Sequence, residues 1–459
     1  MSLDIPRDEL TVHLERAFLV SVALPERPWL TPDPLDELRG LATAAGALVV
    51  GGITQRREKI NPKSYIGKGK LEEVQQQVET ADADVIIFDN DLSPGQIRNL
   101  EKATKIKVLD RSELILDIFA TRARTAEARL QVELAQLEYA LPRLRQMWTH
   151  LGRFVAGGGG AMGAGQHGTG GSMGIGTRGP GETQLETDRR LVDQRIRDLK
   201  HRLAEVQARK EREVRSRHEE HTVSLVGYTN AGKSTLMNAL TGAGVHVQDQ
   251  LFSTLDTRTR QWHLKEWGRV LLSDTVGFIR DLPHHLVASF KATLEETRQA
   301  KLLLHVVDAS NPVAEEQIRA VNRVLDEIGC KDKPTLLVLN KVDKLSDPSY
   351  LHVLMKHHPR AVAVSAAKRQ GVQELAEAVI EMLSADFADA EIEAHSSNGK
   401  LLAYLAAHAE IYRQQFDDSR VVIRCYLPRH LLHHVQGPDV QVRFLDGAKN
   451  SEKPPLPDE

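Results

Sequence analysis

Residues 227–234 read Gly-Tyr-Thr-Asn-Ala-Gly-Lys-Ser and directly follow the apolar run 223–226. A short apolar strand, a glycine-containing turn and a following helix are typical of a phosphate-binding loop. The backbone N–H groups of the turn and the N-terminal end of the helix attract anions. In this pattern the lysine reaches the β and γ phosphate oxygens, and the serine hydroxyl contacts Mg²⁺. We therefore predict a strand, loop and helix that bind the phosphates of a nucleotide.

A second motif, Asp-Thr-Val-Gly at residues 274–277, follows the apolar segment 270–273. Its aspartate is expected at the carboxyl edge of a parallel sheet, where it would lie in the outer shell of the metal. The backbone N–H of Gly277 can approach the γ phosphate. Lys233 and Gly277 are the candidate catalytic groups, since both would stabilise charge on the transferred phosphoryl group.

A third motif, Asn-Lys-Val-Asp at residues 340–343, ends the apolar strand 336–339. The carboxylate of Asp343 can accept hydrogen bonds from guanine N1–H and N2–H₂, a donor pair that adenine lacks, so this acceptor selects guanine. Residues 365–367, Ser-Ala-Ala, follow another apolar run and would place backbone N–H groups near guanine O6. Four motifs in this order, each after a predicted strand, predict a chain that binds and hydrolyses GTP.

Composition indicates a large protein with no global affinity for polyanions such as DNA. The chain has 459 residues and a formal net charge of −3, and about three domains are expected. Cys330 and Cys425 lack metal-ligand spacing and suit a reducing compartment. No run approaches about 18 apolar residues, and the first ten residues lack a basic region followed by an apolar core. We expect a monomeric, cytoplasmic protein without a transmembrane segment, with peripheral association at a membrane left open.

Residues 1–110 are expected to form a separate α/β domain. Short apolar segments alternate with helical stretches, as in a parallel sheet covered on both faces. The expected strands are 17–23, 47–51, 85–88 and 106–109, and the expected helices are 34–45, 70–80 and 94–104. The basic stretches 55–59 and 67–70 lead into one helix. They could hold phosphate, but a solvated charged loop is the favoured interpretation.

Residues 111–220 carry two heptad seams, in which apolar residues recur at alternating spacings of four and three. The first seam consists of Leu130, Leu134, Leu137, Leu141 and Leu144, and the second of Val192, Ile196, Leu199, Leu203 and Val206. Two such seams separated by a loop predict a long antiparallel helical hairpin. Its second helix, about residues 183–217, would extend about 50 Å at 1.5 Å per residue.

The loop between these helices, 157–181, contains 13 glycines in 25 residues and cannot bury a core. Between 139 and 181 there is no Asp or Glu, while arginines and aromatic residues are present. Such a tip is typical of a probe that contacts RNA phosphates and stacks on bases, with a flexible tether as the alternative. The candidate RNA contacts are Arg143, Arg145, Trp148, Arg153, Phe154 and Arg178.

Taken together, these motifs resemble the HflX-type GTPases of the Obg-HflX-like group of P-loop GTPases. The resemblance spans nearly the whole chain and is most specific over residues 274–290, DTVGFIRDLPHHLVASF. It also includes the turn 179–182 (GPGE). It implies a GTPase that binds the large ribosomal subunit and its rRNA, pushes the glycine-rich loop toward the peptidyl transferase centre, and splits stalled or idle 70S ribosomes. The alternative is a GTP-gated RNA-binding factor for large-subunit maturation without splitting activity.

The resemblance also marks a first switch segment at residues 252–260, FSTLDTRTR, where the family usually reads FATLDPTTR. Thr254 keeps the matched position and is assigned as a ligand of Mg²⁺ and the γ phosphate, with Thr257 and Thr259 as less favoured alternatives. Ser234 is the other Mg²⁺ ligand, and Asp274 lies in the outer shell. Thr257 replaces the expected proline, which leaves the loop less restrained. We expect this switch to become ordered when a partner holds it. The full candidate nucleotide site is Gly227, Tyr228, Thr229, Asn230, Ala231, Gly232, Lys233, Ser234, Thr235, Phe252, Thr254, Asp274, Thr275, Val276, Gly277, Asn340, Lys341, Asp343, Ser365, Ala366 and Ala367.

Phe278 directly follows Gly277, at a place where many small GTPases carry a glutamine that orients the attacking water. A phenyl ring cannot do this, so we expect slow intrinsic turnover and a water-positioning group supplied by the ribosome. The ring can equally pack against the sheet. We assign residues 221–390 to the GTPase domain, and residues 396–459 are expected to form a small α+β docking domain with a helix at 401–411 and a strand at 421–426.

Overall fold

The fold is described from a computed structural model of the chain. It describes residues 15–141 without 30 and 32, 180–215, 221–242, 252, 257–280 without 266, 291–345, 347–384, 387–428 without 418, 432–435 and 439–445. The chain divides into two compact units, Met1–Val372 and Gln373–Glu459. In the described residues, no helix is long and apolar enough to cross a membrane.

The first unit begins with a four-stranded sheet, here called the N-terminal sheet. Its strands are β1 (Arg16–Ala23), β2 (Leu48–Arg56), β3 (Val85–Phe88) and β4 (Lys107–Leu109), in the order β2-β1-β3-β4 and all parallel. Alternate residues of β1 enter two different buried clusters, with Leu19 on one face and Phe18 on the other. The prediction of a parallel sheet covered on both faces is therefore confirmed.

Four helices follow these strands along the chain, and two of the helices have side-chain caps. They are α1 (Asp36–Ala44), α2 (Lys68–Thr80), α3 (Pro94–Thr104) and α4 (Arg111–Arg122). A capping box of Ser93 and Gln96 starts α3, and the Asp110 side chain accepts a hydrogen bond from the Glu113 N–H at the start of α4. Each helix start lies near the carboxyl end of the preceding strand. Polar groups from α1, the end of β3 and α4 are thereby brought to one edge of the N-terminal sheet.

Two further helices pack through the predicted heptad seams. They are α5 (Ala126–Ala140) and α6 (Pro180–Arg215). Leu134, Ile196 and Leu199 are buried against each other. The pair is flanked by a bidentate contact from Arg195 to Glu133, at 2.7 and 3.0 Å. The predicted contact between the seams is confirmed. The connecting residues 142–179, which include all six candidate RNA contacts, lie outside the described residues.

A six-stranded sheet, here called the central sheet, follows. Its strands are β5 (His221–Gly227), β6 (Arg258–Leu264), β7 (Gly268–Asp274), β8 (Leu302–Asp308), β9 (Thr335–Asn340) and β10 (Val362–Ala363), in the order β10-β9-β8-β5-β7-β6. Only β6 runs antiparallel to its neighbour among these paired strands. Its helices are α7 (Lys233–Thr241), α8 (Lys291–Gln299), α9 (Ala314–Glu327) and α10 (Pro348–His357), with a 3-10 turn at Val342–Lys344. The strands predicted before the four motifs are confirmed as β5, β7, β9 and β10.

The second unit begins within α11 (Val372–Ser384) and contains an antiparallel sheet. Its strands are β11 (Phe387–His395), β12 (Glu410–Asp417), β13 (Arg420–Pro428) and β14 (Gln441–Phe444), in the order β12-β13-β11-β14, with helices α12 (Gly399–His408) and α13 (Leu432–Val435). Ile392, Leu405 and Ile423 are buried in its core. The expected α+β character is confirmed. The helix expected at 401–411 is shorter, because Glu410 already pairs with Tyr426 in the sheet.

Candidate nucleotide-binding site

The phosphate-binding loop joins β5 to α7 in a conformation that depends on two glycines. Gly227 has φ +149°, and a Cβ at this position would lie 2.2 Å from the Val306 carbonyl oxygen. Gly232 has φ +93°, and its Cβ would lie 2.3 Å from Nδ2 of Asn340. Both positions therefore exclude a side chain, through close approach as well as backbone conformation. The second contact also brings the phosphate-binding loop against the base motif.

Lys233 is the first residue of α7, and its side chain folds back over the loop. Its Nζ donates hydrogen bonds to the carbonyl oxygens of Gly227 at 3.1 Å and Tyr228 at 3.0 Å. Burial lowers the pKa of Lys233 to about 8, partly offset by the charge of Asp274. An ammonium group held by backbone carbonyls at the start of a helix is placed to exchange these contacts for phosphate oxygens.

Ser234 and Asp274 meet at the carboxyl edge of the central sheet. The Ser234 hydroxyl donates to Oδ2 of Asp274 at 2.6 Å, which joins the start of α7 to the end of β7. A hydroxyl and a carboxylate are hard oxygen donors, the type that Mg²⁺ prefers. The two residues predicted to serve the metal are thus brought together, while Thr254 lies outside the described residues.

The motif 274–277 is bound directly to the phosphate-binding loop by backbone hydrogen bonds. Thr229 N–H donates to the Phe278 carbonyl at 2.7 Å, and Phe278 N–H donates to the Gly227 carbonyl at 3.0 Å. A Cβ on Gly277 would lie 2.9 Å from Cα of Thr229 and 3.0 Å from Nζ of Lys233. The two candidate catalytic groups are therefore neighbours, and any side chain at residue 277 would separate them.

The other two members of this motif are buried. Thr275 donates its hydroxyl to the Leu225 carbonyl at 2.7 Å, and Val276 packs in the core. Phe278 is also buried, at 3% exposure. Its ring packs in the same apolar cluster as Val226, which agrees with a packing role.

The base motif is organised by hydrogen bonds among its own members. Asn340 donates from Nδ2 to the Ala231 carbonyl at 2.9 Å, and its Oδ1 accepts from the Ala366 N–H at 3.0 Å. The Ser365 hydroxyl donates to Oδ1 of Asp343 at 2.6 Å. This hydrogen bond lowers the pKa of Asp343, so the carboxylate is ionised and acts as an acceptor.

Lys341 stands beside this arrangement, with Nζ 2.8 Å from Oδ2 of Asp308. Ala367 is exposed, whereas Ser365 and Ala366 are buried. Asn230 is exposed at the front of the phosphate-binding loop with φ +60°, and Thr235 is half-buried in α7. The four predicted motifs therefore converge on one edge of the central sheet.

Two predicted nucleotide contacts direct their side chains toward the N-terminal part of the chain. The Tyr228 hydroxyl donates to Oε1 of Glu37 at 2.9 Å. Phe252 is 2% exposed, and its ring makes an edge contact with Phe119 of α4 at a centroid distance of 4.6 Å. The assignment of these two residues to the nucleotide site stays a prediction.

Five residues form a group that we call the polar cluster, made up of Glu37, Asp89, Arg111, Tyr228 and Arg280. Sequence reasoning assigned only Tyr228 to the site and missed the other four. Arg111 contacts Asp89 and Glu37, each at 2.5 Å, and donates to the Arg280 carbonyl at 3.1 Å. Arg280 in turn lies 3.2 Å from Asp89. The only sequence signal was the position of Arg280 just after the motif 274–277. Its partners are up to 191 residues away and follow no motif.

The mostly parallel central sheet, the glycine-dependent phosphate-binding loop at its carboxyl edge, and the guanine motif define a P-loop GTPase. Family models agree along the chain. Residues 33–120 match the GTP-binding GTPase N-terminal family, 122–217 the GTP-binding GTPase middle region, and 222–341 the 50S ribosome-binding GTPase family.

Individual relatives narrow this class. The GTPase HflX of Escherichia coli K12 is 47% identical over 372 residues, which cover 80% of this chain and 83% of the relative. The GTPase HflX of Caldanaerobacter subterraneus subsp. tengcongensis is 42% identical over 423 residues, which cover 91% and 92%. The chain belongs to the HflX family of GTPases, and its reaction is the hydrolysis of GTP.

A solved structure of a GTP-binding protein from Sulfolobus solfataricus in complex with GDP is also similar. It is 23% identical, and the match covers 81% of this chain and 99% of that protein with a TM-score of 0.41.

Proposed function

We propose that this GTPase binds the large ribosomal subunit and splits stalled or idle 70S ribosomes, and that GTP hydrolysis resets it for release. The observation that carries the proposal is the match of residues 222–341 to the family of 50S ribosome-binding GTPases, within a chain that belongs to the HflX family. A cytoplasmic location follows from a ribosomal partner.

Within the site, Lys233 and the Gly277 N–H would stabilise negative charge on the transferred phosphoryl group. Their close approach supports this assignment, because donors that are already in place act without reorganisation. Ser234 and Thr254 would hold Mg²⁺, with Asp274 in the outer shell. The metal would supply further positive charge at the β and γ phosphates. Asp343, held by Ser365, would select guanine.

Stimulation by the ribosome is proposed from the buried position of Phe278. A packed phenyl ring leaves that position without a group that could orient the attacking water. The missing group would come from the ribosome, and the chain alone would turn over slowly. Equal GTP hydrolysis with and without ribosomal subunits would contradict this part of the proposal.

The glycine-rich tip is proposed to contact rRNA. Its arginines, its aromatic residues and its lack of carboxylates suit phosphate contact and base stacking. The stiff helices α5 and α6, packed through their seams, would carry the tip into the subunit.

Light scattering of intact 70S ribosomes tests splitting directly. The protein is added with a non-hydrolysable GTP analogue, and a loss of scattering supports splitting. Unchanged scattering with stable binding to free large subunits would favour the alternative, a GTP-gated RNA-binding factor for subunit maturation.

A deletion of residues 157–178 tests the role of the tip. Splitting should be lost while nucleotide affinity is kept, because the deleted residues are far in sequence from all four nucleotide motifs. A variant with a Gly-Ser segment of equal length distinguishes the chemistry of the tip from its length. If the deleted protein still splits ribosomes, the tip has been assigned wrongly.

A further inference from the structure

The polar cluster lies at the edge where a sheet of this topology ordinarily binds its ligand. In an open α/β sheet, ligands bind outside the carboxyl ends of the strands, where the strand order reverses. In the order β2-β1-β3-β4 that place lies between β1 and β3, and Asp89 directly follows β3. Here Asp89 contacts two guanidinium groups, those of Arg111 and Arg280. The ligand edge of the N-terminal sheet is thus occupied by an arginine from the nucleotide-binding part of the chain.

Charge in the polar cluster is balanced. Two carboxylates, Glu37 and Asp89, face two guanidinium groups, and the Arg111 side chain is only 1% exposed. Burial alone would raise the pKa of Glu37, but the charges of Arg111 and Arg280 outweigh it, so the pKa lies below its usual range. The carboxylate is therefore ionised and accepts from the Tyr228 hydroxyl. Removing one of these four charges would leave an oppositely charged, buried partner without its counter-charge.

Tyr228 connects this cluster to the reaction site. Its hydroxyl donates to Glu37 at 2.9 Å and accepts from the Arg280 N–H at 2.8 Å. Tyr228 directly follows Gly227, whose carbonyl accepts from Lys233 Nζ. Arg280 stands three residues after Gly277. One hydroxyl therefore joins the two loops that carry Lys233 and Gly277, and Glu37 fixes the direction of its O–H bond.

We propose that Glu37 is a positioning residue for GTP hydrolysis, acting through Tyr228 and Arg280 to hold the loop of Gly277 against the loop of Lys233. Glu37 acts through side chains: its Oε1 accepts from the Tyr228 hydroxyl at 2.9 Å, and its Oε2 lies 3.7 Å from the Arg280 guanidinium. A displacement of about 1 Å in such a donor can lower a rate by about 100-fold, so loosening this tie should reduce kcat. Ground-state binding of GTP rests mainly on the base motif and the diphosphate contacts, and KM should change little.

Steady-state GTP hydrolysis by the full-length chain, without ribosomes, tests this role. The isosteric change Glu37→Gln is expected to lower kcat by roughly 10-fold and leave KM within about 2-fold. Tyr228→Phe removes the hydroxyl and should give a similar loss. Because the two residues share one hydrogen bond, the loss in the double variant should be smaller than the product of the two single losses. Asp36→Asn, an exposed neighbour in the same turn of α1, is the matched control and should keep wild-type kinetics.

Thermal unfolding of each variant is measured first. The kinetics are then recorded at a temperature at which all variants are folded. A kcat within 2-fold of wild type for Glu37→Gln would overturn the proposal, as would a loss expressed only in KM. Fully multiplicative losses in the double variant would also overturn it, because the two residues would then act separately. The kinetic and the unfolding measurements both use the protein without ribosomes. Their outcome is therefore independent of its proposed action on the large subunit.

Discussion

The two ends of the nucleotide site are built differently. At the base end, Asn340, Asp343, Ser365 and Ala366 are held by hydrogen bonds within the loops of the central sheet. At the phosphate end, the Tyr228 hydroxyl bonds to Glu37 of α1, beyond the central sheet. Base recognition is therefore a local property of one sheet, whereas the groups that stabilise the transferred phosphoryl depend on a second part of the chain. Substitutions at the two ends should differ in kind.

The largest expected effect is at the base end. Asp343→Asn should lower GTP affinity by about 10⁴-fold, because an acceptor for two guanine donors is lost from a site built around them. Xanthine nucleotides should then bind better than GTP. Competition binding with labelled GDP measures both effects, with Asp347→Asn, an exposed nearby carboxylate, as the control. An unchanged preference for GTP would mean that the base is read elsewhere.

At the phosphate end, Arg111→Met should act on stability. It leaves Asp89 and Glu37 with one guanidinium fewer in a buried setting, and the expected cost is about 3 kcal/mol of the free energy of unfolding. Urea denaturation measures this cost, and Arg39→Met in the exposed part of α1 should cost far less. A variant as stable as the wild type would show that the polar cluster contributes little to folding.

Lys233→Ala should lower kcat by about 10²-fold to 10³-fold, the range for removing one preorganised donor to a developing charge. Single-turnover hydrolysis with saturating GTP measures the chemical step, and Lys265→Ala in the exposed turn after β6 serves as the control. Guanine selectivity should be kept, because the base end does not need this lysine. A change of base preference would show that base recognition at one end of the site depends on the phosphate-binding lysine at the other.

Ser365→Ala should have the smallest effect, about a 10-fold loss of GTP affinity. It removes one hydrogen bond to an ionised carboxylate, and Asp343 itself remains. The pKa of Asp343 should rise toward its ordinary value, since the Ser365 hydrogen bond is the largest cause of its lowering. GTP titration measures the loss, and kcat should be unaffected.

The base end could be predicted almost completely from sequence, and the phosphate end only in part. Short motifs after apolar strands place Asn340, Asp343 and Ser365 because every partner lies within the motifs. The backbone hydrogen bond from Phe278 to Gly227 could be predicted in the same way, because the two motifs beside it follow neighbouring strands. The bond from Tyr228 to Glu37 spans 191 residues and depends on how two sheets pack, which no local pattern encodes.

The same limit applies to Phe252. Its place at the start of the switch segment 252–260 suggested a nucleotide contact. The structure shows instead that its ring packs against Phe119 of α4, a contact that depends on the three-dimensional fold. The parallel N-terminal sheet itself was predictable, because its strands are short apolar runs separated by amphipathic helices. The contact between Arg280 and the ligand edge of this sheet was not predictable, because a single arginine in a loop has no periodic signature.

The edge contact between Phe119 and Phe252 also bears on which part of the chain can be produced alone. A fragment beginning at His221 would expose an aromatic ring that is 2% exposed in the intact chain, and would leave Arg280 without its carboxylates. Newly exposed apolar surface of this kind promotes association. Helix α4 thus covers apolar surface of the nucleotide-binding part of the chain that a shorter fragment would expose to solvent.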